Sequence, residues 1–239
     1  MFLLFSTAWA FDADAVLARV EETRALRSHR TSEAVPTISD KDYRTAASGK
    51  VATGVTKVEG HSARIGYGVG VFDVPIDDVW AALNDETRHA DLSALSHVEV
   101  VSGGVCADRR KVLMVLPLPW LTDRYWVNQN RFSAELSAQS GGAVRELTWS
   151  SVADPSAEPL SAAGRSATDG LVPIGFNKGA WLLVQLDDTH TLAEFSSWVD
   201  PGGSVPTGPA SLFATSGIED TFDAMRTYAK RGALPCKEG

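Results

Sequence analysis

Two prolines, Pro117 and Pro119, interrupt an otherwise strand-like run at residues 115–127, V-L-P-L-P-W-L-T-D-R-Y-W-V, and constrain the chain more than any other feature. Proline has no N–H to give to a ladder and fixes its own φ. The apolar strand ending at Leu116 must therefore stop there, and the chain must turn before Asp123. Asp123 and Arg124 then open a second strand of aromatic and amide residues. A matching stop lies at residues 200–206, D-P-G-G-S-V-P, where glycine accepts positive φ and Pro206 precedes a helical pattern. Strand, proline bend, strand, glycine turn and terminal helix together describe a sheet whose end is closed by loops and against which a helix is laid.

Periodicity supplies the remaining elements. Ala15, Val16, Val20 and Leu26 recur at helical spacing and predict an amphipathic helix over 12–29, followed by a polar linker over 30–48. Residues 51–59 and 63–73 predict a hairpin. Gly66, Gly68 and Gly70 fall on one face of its second strand, where a packed helix or a ligand must come close. No helix follows these glycines directly, so they are not a nucleotide fingerprint. A helix over 75–84 starts at Pro75. Strands follow over 98–102, 110–116, 123–133, 144–152, 170–176, 179–187 and 191–199, and the Ser-, Ala-, Pro- and Gly-rich stretch 154–169 reads as a loop. A last helix over 210–230 puts Ile218, Phe222, Met225 and Ala229 on one stripe. The order is that of an α+β fold.

The elements L-P-L-P-W-L-T-D-R and D-P-G-G-S-V-P, in this order and before a C-terminal amphipathic helix, resemble the START lipid-transfer domain of the helix-grip (SRPBCC, Bet v 1-like) superfamily. The resemblance runs over residues 51–231 and is to a bacterial-type exported member. It implies a curved antiparallel β-sheet wrapped around a long C-terminal helix, with an internal hydrophobic tunnel. It further implies a non-enzymatic protein that binds and transfers one lipid-like ligand, a sterol, fatty acyl chain or phospholipid, with transient membrane contact and no cofactor. The same superfamily includes polyketide aromatases and cyclases, which gives the rival expectation of an enzyme using the same cavity. The division that follows is a signal segment at 1–10, an N-terminal helix and linker at 11–48, the START-like domain at 49–232 and a tail at 233–239.

Strand alternation after Arg124 puts Trp126, Asn128, Asn130 and Phe132 on one face, two aromatic walls with two neutral amides between them. Such a face suits an apolar tunnel with a few orienting hydrogen bonds, and neutral amides favour a weakly polar ligand over a phosphate. The expected lining also includes Leu147 and Trp149, Leu182 and Val184, Phe195 and Ser197, with Phe213, Ile218, Phe222 and Met225 as a roof from the terminal helix. Asp123 and Arg124 are expected to form a structural ion pair at the strand entrance. Residues 135–143, with Gly141 and Gly142, and the turn around Gly202 and Pro206 are expected to act as the gate. The one catalytic-looking cluster is Asp85, Glu86, Arg88, His89 and Asp91, with His89 one helical turn after Asp85. No nucleophile motif accompanies it, and a charged run between a helix and a strand is expected to be solvated surface, so no catalytic residue is assigned.

A net charge of -8 and a pI near 5.1 argue against nucleic-acid binding and against docking on anionic lipid through a basic patch. No apolar run is long enough to cross a bilayer as a helix. The start, M-F-L-L-F-S-T-A-W-A, ends in an A-x-A triplet and reads as a short export signal without a basic region, which points to the periplasm or secretion. The alternatives are an apolar helix start in a cytoplasmic protein, or a true start codon upstream of Met1. Two cysteines, Cys106 and Cys236, permit one disulfide between a glycine turn and the tail, or remain two free thiols; their separation makes a metal site improbable.

Overall fold

The computed structural model describes residues 10–92, 94–119, 121–202, 215, 217–231 and 236. Its frame is one nine-stranded sheet formed by β1 (Ala52–Thr56), β2 (Ile65–Phe72), β3 (His97–Ser102), β4 (Arg109–Leu116), β5 (Arg124–Phe132), β6 (Val144–Ser151), β7 (Val172–Pro173), β8 (Phe176–Gln185) and β9 (Thr191–Asp200). The strand order is β1-β2-β9-β8-β6-β5-β4-β3, every neighbour antiparallel, while β7 runs parallel beside Arg124 and Tyr125. The strand expected over 170–176 is reduced to β7 beside β5, with Phe176 belonging to β8, because Pro173 has no N–H to give.

Helices divide between the two faces of the sheet. On the outer face lie α1 (Ala13–Glu22), capped by the Asp12 carboxylate, and α2 (Asp40–Ala47), opened by a capping box between Ser39 and Asp42. The stretch read as a polar linker therefore carries a helix, and Ser39 followed three residues later by Asp42 was its signal. These helices cover Tyr67, Val69, Val71, Leu182, Val184 and Leu192 with Val16, Tyr43, Ala46 and Ala47. On the inner face, α3 (Ile76–Asn84) and the terminal helix α7 (Ile218–Ala229) pack over Phe72, Leu147, Trp181, Leu183 and Ala193. The short helices α4 (His89–Leu92), α5 (Ala134–Gln139) and α6 (Ala162–Thr168) complete the described fold. α6 lies in the stretch read as loop, started by the Ser161 side chain accepting from Gly164 N. No helix among the described residues is long and apolar enough to cross a membrane.

The proline and glycine elements meet at one end of the sheet. Arg124 Nε donates to Pro201 O at 2.8 Å and its guanidinium also reaches Thr122 O, while the Asp123 carboxylate accepts from Leu118 N at 3.0 Å. Asp123 and Arg124 thus do not pair with each other as expected; backbone groups of the two bends satisfy them separately. Gly175 N donates to Asp200 O at 2.9 Å and Gly202 N to Asp200 Oδ1 at 3.0 Å, which closes the turn. At Gly202, φ is +66°, and an added Cβ would sit 3.0 Å from Gly175 N, so the turn requires glycine. Cys106 and Cys236 are joined, with Cα atoms 5.2 Å apart, and fasten the tail to the turn between β3 and β4.

Candidate functional site

The site grows out of the register of β4, β5 and β6. Arg110 stands opposite Asn130, Val112 opposite Asn128 and Met114 opposite Trp126, and Asn130 is in turn opposite Trp149 of β6. All of these share the inner face. The next strands add Trp181 opposite Leu147, Phe195 opposite Trp181, and Ser197 opposite Gly179. The aromatic rings form a continuous wall: Trp149 to Phe195 at 5.8 Å, Phe195 to Trp181 at 4.9 Å, Trp181 to Phe222 at 5.0 Å and Phe222 to Phe72 at 5.5 Å. Offset and tilted rings at these spacings attract one another while presenting an apolar surface.

Along this wall the packing changes. Under α7, Phe222 is fully buried, and Ile218, Met225, Leu147 and Trp181 nearly so. Gly68 and Gly70 make that contact possible: a Cβ at Gly68 would lie 2.5 Å from Ile218 Cγ2 and one at Gly70 2.9 Å from Phe222 Cδ1. The neighbour those glycines admit is the terminal helix. Trp126, Trp149, Phe195 and Ser197 stay only half-buried although they face inward, so accessible space remains against them, and half-buried Phe132, at the far end of β5, packs on Trp80 of α3 at 4.9 Å.

Between these aromatics lies a buried polar cluster. Glu86, in the turn after α3, and Arg110 are both completely enclosed. Arg110 Nε donates to Glu86 Oε1 at 2.5 Å, Nη2 pairs with the same oxygen, and Nη1 donates to Ala107 O at 2.8 Å. Asn130 Nδ2 donates to Glu86 Oε1 at 3.0 Å. Glu86 Oε2 and Asn130 Oδ1 are buried and accept no hydrogen bond from the described residues. Asn128 is held otherwise: its Nδ2 lies 3.8 Å from Met114 Sδ, and its Oδ1 accepts from Asn177 Nδ2 at 3.5 Å. Asn177 Oδ1 takes the Trp149 indole N–H at 3.2 Å.

The structure therefore brings together Trp126, Asn128, Asn130, Phe132, Leu147, Trp149, Phe195 and Ser197, with Ile218, Phe222 and Met225 closing the packed end. Leu182 and Val184 are corrected: they sit on the opposite face, under α1 and α2, because their strand parity is that of Glu146 and Leu192 rather than of Trp181. Phe213 lies outside the described residues, as do residues 203–206 of the turn. The segment 135–143, expected as a loop, carries α5, whose Leu136 is fully buried in the outer-face core.

The charged run after α3 is not solvated surface as expected. Asp85 and Glu86 are 2% and 0% exposed, whereas Thr87 and Arg88 face outward. Tyr228 of α7 donates to Asp85, and burial followed by that hydrogen bond pushes the phenol up to about 12. His89 is half-buried with Nε2 3.4 Å from Ala82 O, and burial holds its pKa below the ordinary value against the pull of Glu86. Arg110, the charged residue on the Val112 and Met114 face of β4, was the signal for this cluster. An arginine on the same face as Val112 and Met114 requires a buried acid.

A depression of about 300 Å³ near Pro75, Asp77 and Gly142 is a separate feature, crossed by the Arg145–Asp77 ion pair and open to solvent.

No family model and no curated protein sequence matches the chain. Solved structures do. Human STARD10 superposes with a TM-score of 0.61 at 17% identity, covering 85% of this chain and 83% of that one. Human StAR-related lipid transfer protein 5 gives 0.61 at 12% identity, over 92% and 99%. The Zhui aromatase/cyclase from Streptomyces sp. R1128 gives 0.50 at 14% identity, over 71% and 94%. The likeness is one of fold: the START-like, α+β helix-grip arrangement expected from the sequence.

Proposed function

We propose that the chain binds one hydrophobic, weakly polar lipid-like molecule, a sterol or fatty acyl compound before a phospholipid, against its inner face and transfers it between membranes. The observation that carries this reading is the set of half-buried inner-face aromatics, Trp126, Trp149 and Phe195, beside buried acceptors that no described residue fills. Apolar burial at about 25 cal/mol per Å² supplies affinity, and an unmet buried acceptor supplies selectivity, because a ligand lacking a donor leaves it unpaired. The buried arginine beside those acceptors is committed to Glu86 and Ala107 O, which leaves it no charge to offer a phosphate.

The rival reading, an aromatase/cyclase-like enzyme, draws on the enclosed carboxylate. Arg110 and Asn130 both hold that carboxylate through one oxygen, which leaves the other oriented to accept a hydrogen bond from a ligand. This supports the carrier. Export to an oxidising compartment is part of the proposal, supported by the paired cysteines. Intact mass of the native protein should show a chain beginning at Phe11 with both thiols oxidised; Met1 retained with two free thiols would remove that part.

The test of the reading is native mass spectrometry of the purified protein with organic extraction of what travels with it. One lipid per chain is expected. Bare protein, together with no saturable binding across a panel of sterols and fatty acids, overturns the reading.

A further inference from the structure

Resting on the lipid-carrier reading, we infer that the site takes an elongated hydrophobe that is polar at both ends, a neutral hydroxyl at Glu86 and Asn130 and a carbonyl or carboxylate oxygen at Trp126. Three uncommitted buried polar atoms carry this. Among the described residues Glu86 Oε2 and Asn130 Oδ1 lack a hydrogen-bond partner at one point of the inner face, where Arg110 Nη2 has only its ion pair with Glu86 Oε1, and Trp126 Nε1 lacks one at another. Trp126 and Asn130 are four residues apart on one face of β5, which at about 3.3 Å per residue places them about 13 Å apart along the strand.

The chemistry of each end follows from its atoms. Carboxylate and amide oxygens accept only, so the first end wants a donor. The Asn130 amide is oriented by its own network, since its nitrogen must face Glu86 and its oxygen is then the free atom. Arg110 already balances the Glu86 charge, so a hydroxyl fits there better than an ammonium group. An indole N–H donates only, so the second end wants an acceptor. The guanidinium of Arg124, one inward-facing position further along β5 and bonded to backbone carbonyls, gives that end a positive bias.

What lies between the ends is equally informative. Asn128 is the inward-facing residue between Trp126 and Asn130, and it is closed off by Met114 and Asn177, with Trp149 completing the chain. The middle of the polar edge asks nothing of a ligand. The matching molecule has an apolar body and two oxygen-bearing ends.

A rigid four-compound set tests this: a steroid nucleus with a hydroxyl on the first ring and a ketone on the last, the two compounds with one oxygen each, and the bare hydrocarbon. Dissociation constants are measured by calorimetry or tryptophan quenching on the delipidated full chain. Each oxygen should tighten binding about tenfold, the two acting together. Trp126→Phe should erase the advantage of the ketone and keep that of the hydroxyl; Asn130→Leu should weaken the hydroxyl's advantage and keep that of the ketone. The comparison among compounds on the unaltered protein stands even if a variant folds poorly. Equal binding of all four compounds overturns the inference and leaves the carrier reading intact. Binding of none of them, with no extracted lipid either, overturns the reading and the inference together.

Discussion

Both faces of the sheet bury carboxylates, and they treat them differently. On the outer face Glu146 and Glu194 have a partner for every oxygen: Arg30 Nε at 2.8 Å, Thr31 N at 2.7 Å and Ser133 Oγ at 3.0 Å for Glu146; Arg27 through two nitrogens at 2.7 and 2.9 Å and Tyr43 Oη at 2.9 Å for Glu194. On the inner face Glu86 concentrates its partners on one oxygen, and the other meets no donor among the described residues. A buried acid met on all sides fixes a piece of chain, here the segment between α1 and α2. A buried acid left half-met costs stability unless something else fills it. The difference separates a fastening from a receptor, and it is visible only after the partners of each oxygen are counted.

The largest effect that would break this contrast is on the outer face. Arg30→Leu strips Glu146 of its cation in a fully enclosed setting and should cost about 3–5 kcal/mol, read as a lower urea midpoint at unchanged slope. Ligand selectivity should not change; a selectivity change would mean that the outer network reaches the site. Next in size is Gly68→Ala, which drives a methyl into Ile218 and Phe222 and should cost about 1–3 kcal/mol while loosening α7. Lipid exchange between vesicles should quicken. Unaltered exchange would show that α7 does not move for the ligand.

Smaller in stability is Asn130→Leu, about 1 kcal/mol by loss of one hydrogen bond, with preference shifting toward less polar ligands. An unshifted preference across a lipid panel would deny the cluster its receptor role. The gentlest probe is acid. Burial alone would raise the Glu194 carboxyl, but the charges of Arg27 and Arg30 and the Tyr43 hydrogen bond outweigh it and hold its pKa below the ordinary 4.5. A depressed acid adds stability above its unfolded pKa and loses it as pH falls through the folded one. Stability should therefore decline below about pH 4.5, and Glu194→Gln should flatten the decline. An equal slope in the variant would place the titrating group elsewhere.

Much of the fold was legible because its signals are local. Pro117 and Pro119 stop β4, alternation gives β5 its inward set, and the stripe Ile218, Phe222, Met225 marks α7 as a packed helix. Leu182 and Val184 were misplaced because β8 is apolar on both faces, covered by helices on each, so alternation carries no sign there. Glu86 escaped because a single sequence cannot show that the turn after α3 folds inward; its cation, Arg110, lies on a strand paired from the other side of the bend. Non-local pairs of this kind are settled by topology, not by spacing. The division of Asp123 and Arg124 between two bends is another case: each contacts backbone carbonyls and amides, which the sequence does not rank.

The central claim, that the inner face receives the ligand and the outer face does not, is tested most directly by quenching with a brominated long-chain fatty acid, since bromine quenches only indoles it touches. Trp126, Trp149 and Trp181 face inward, while Trp198 packs outward with Ala34 and Ile65. Saturable quenching is expected, diminished by Trp149→Phe and Trp126→Phe and left in place by Trp198→Phe. Quenching that survives both inner substitutions and disappears in Trp198→Phe would contradict it.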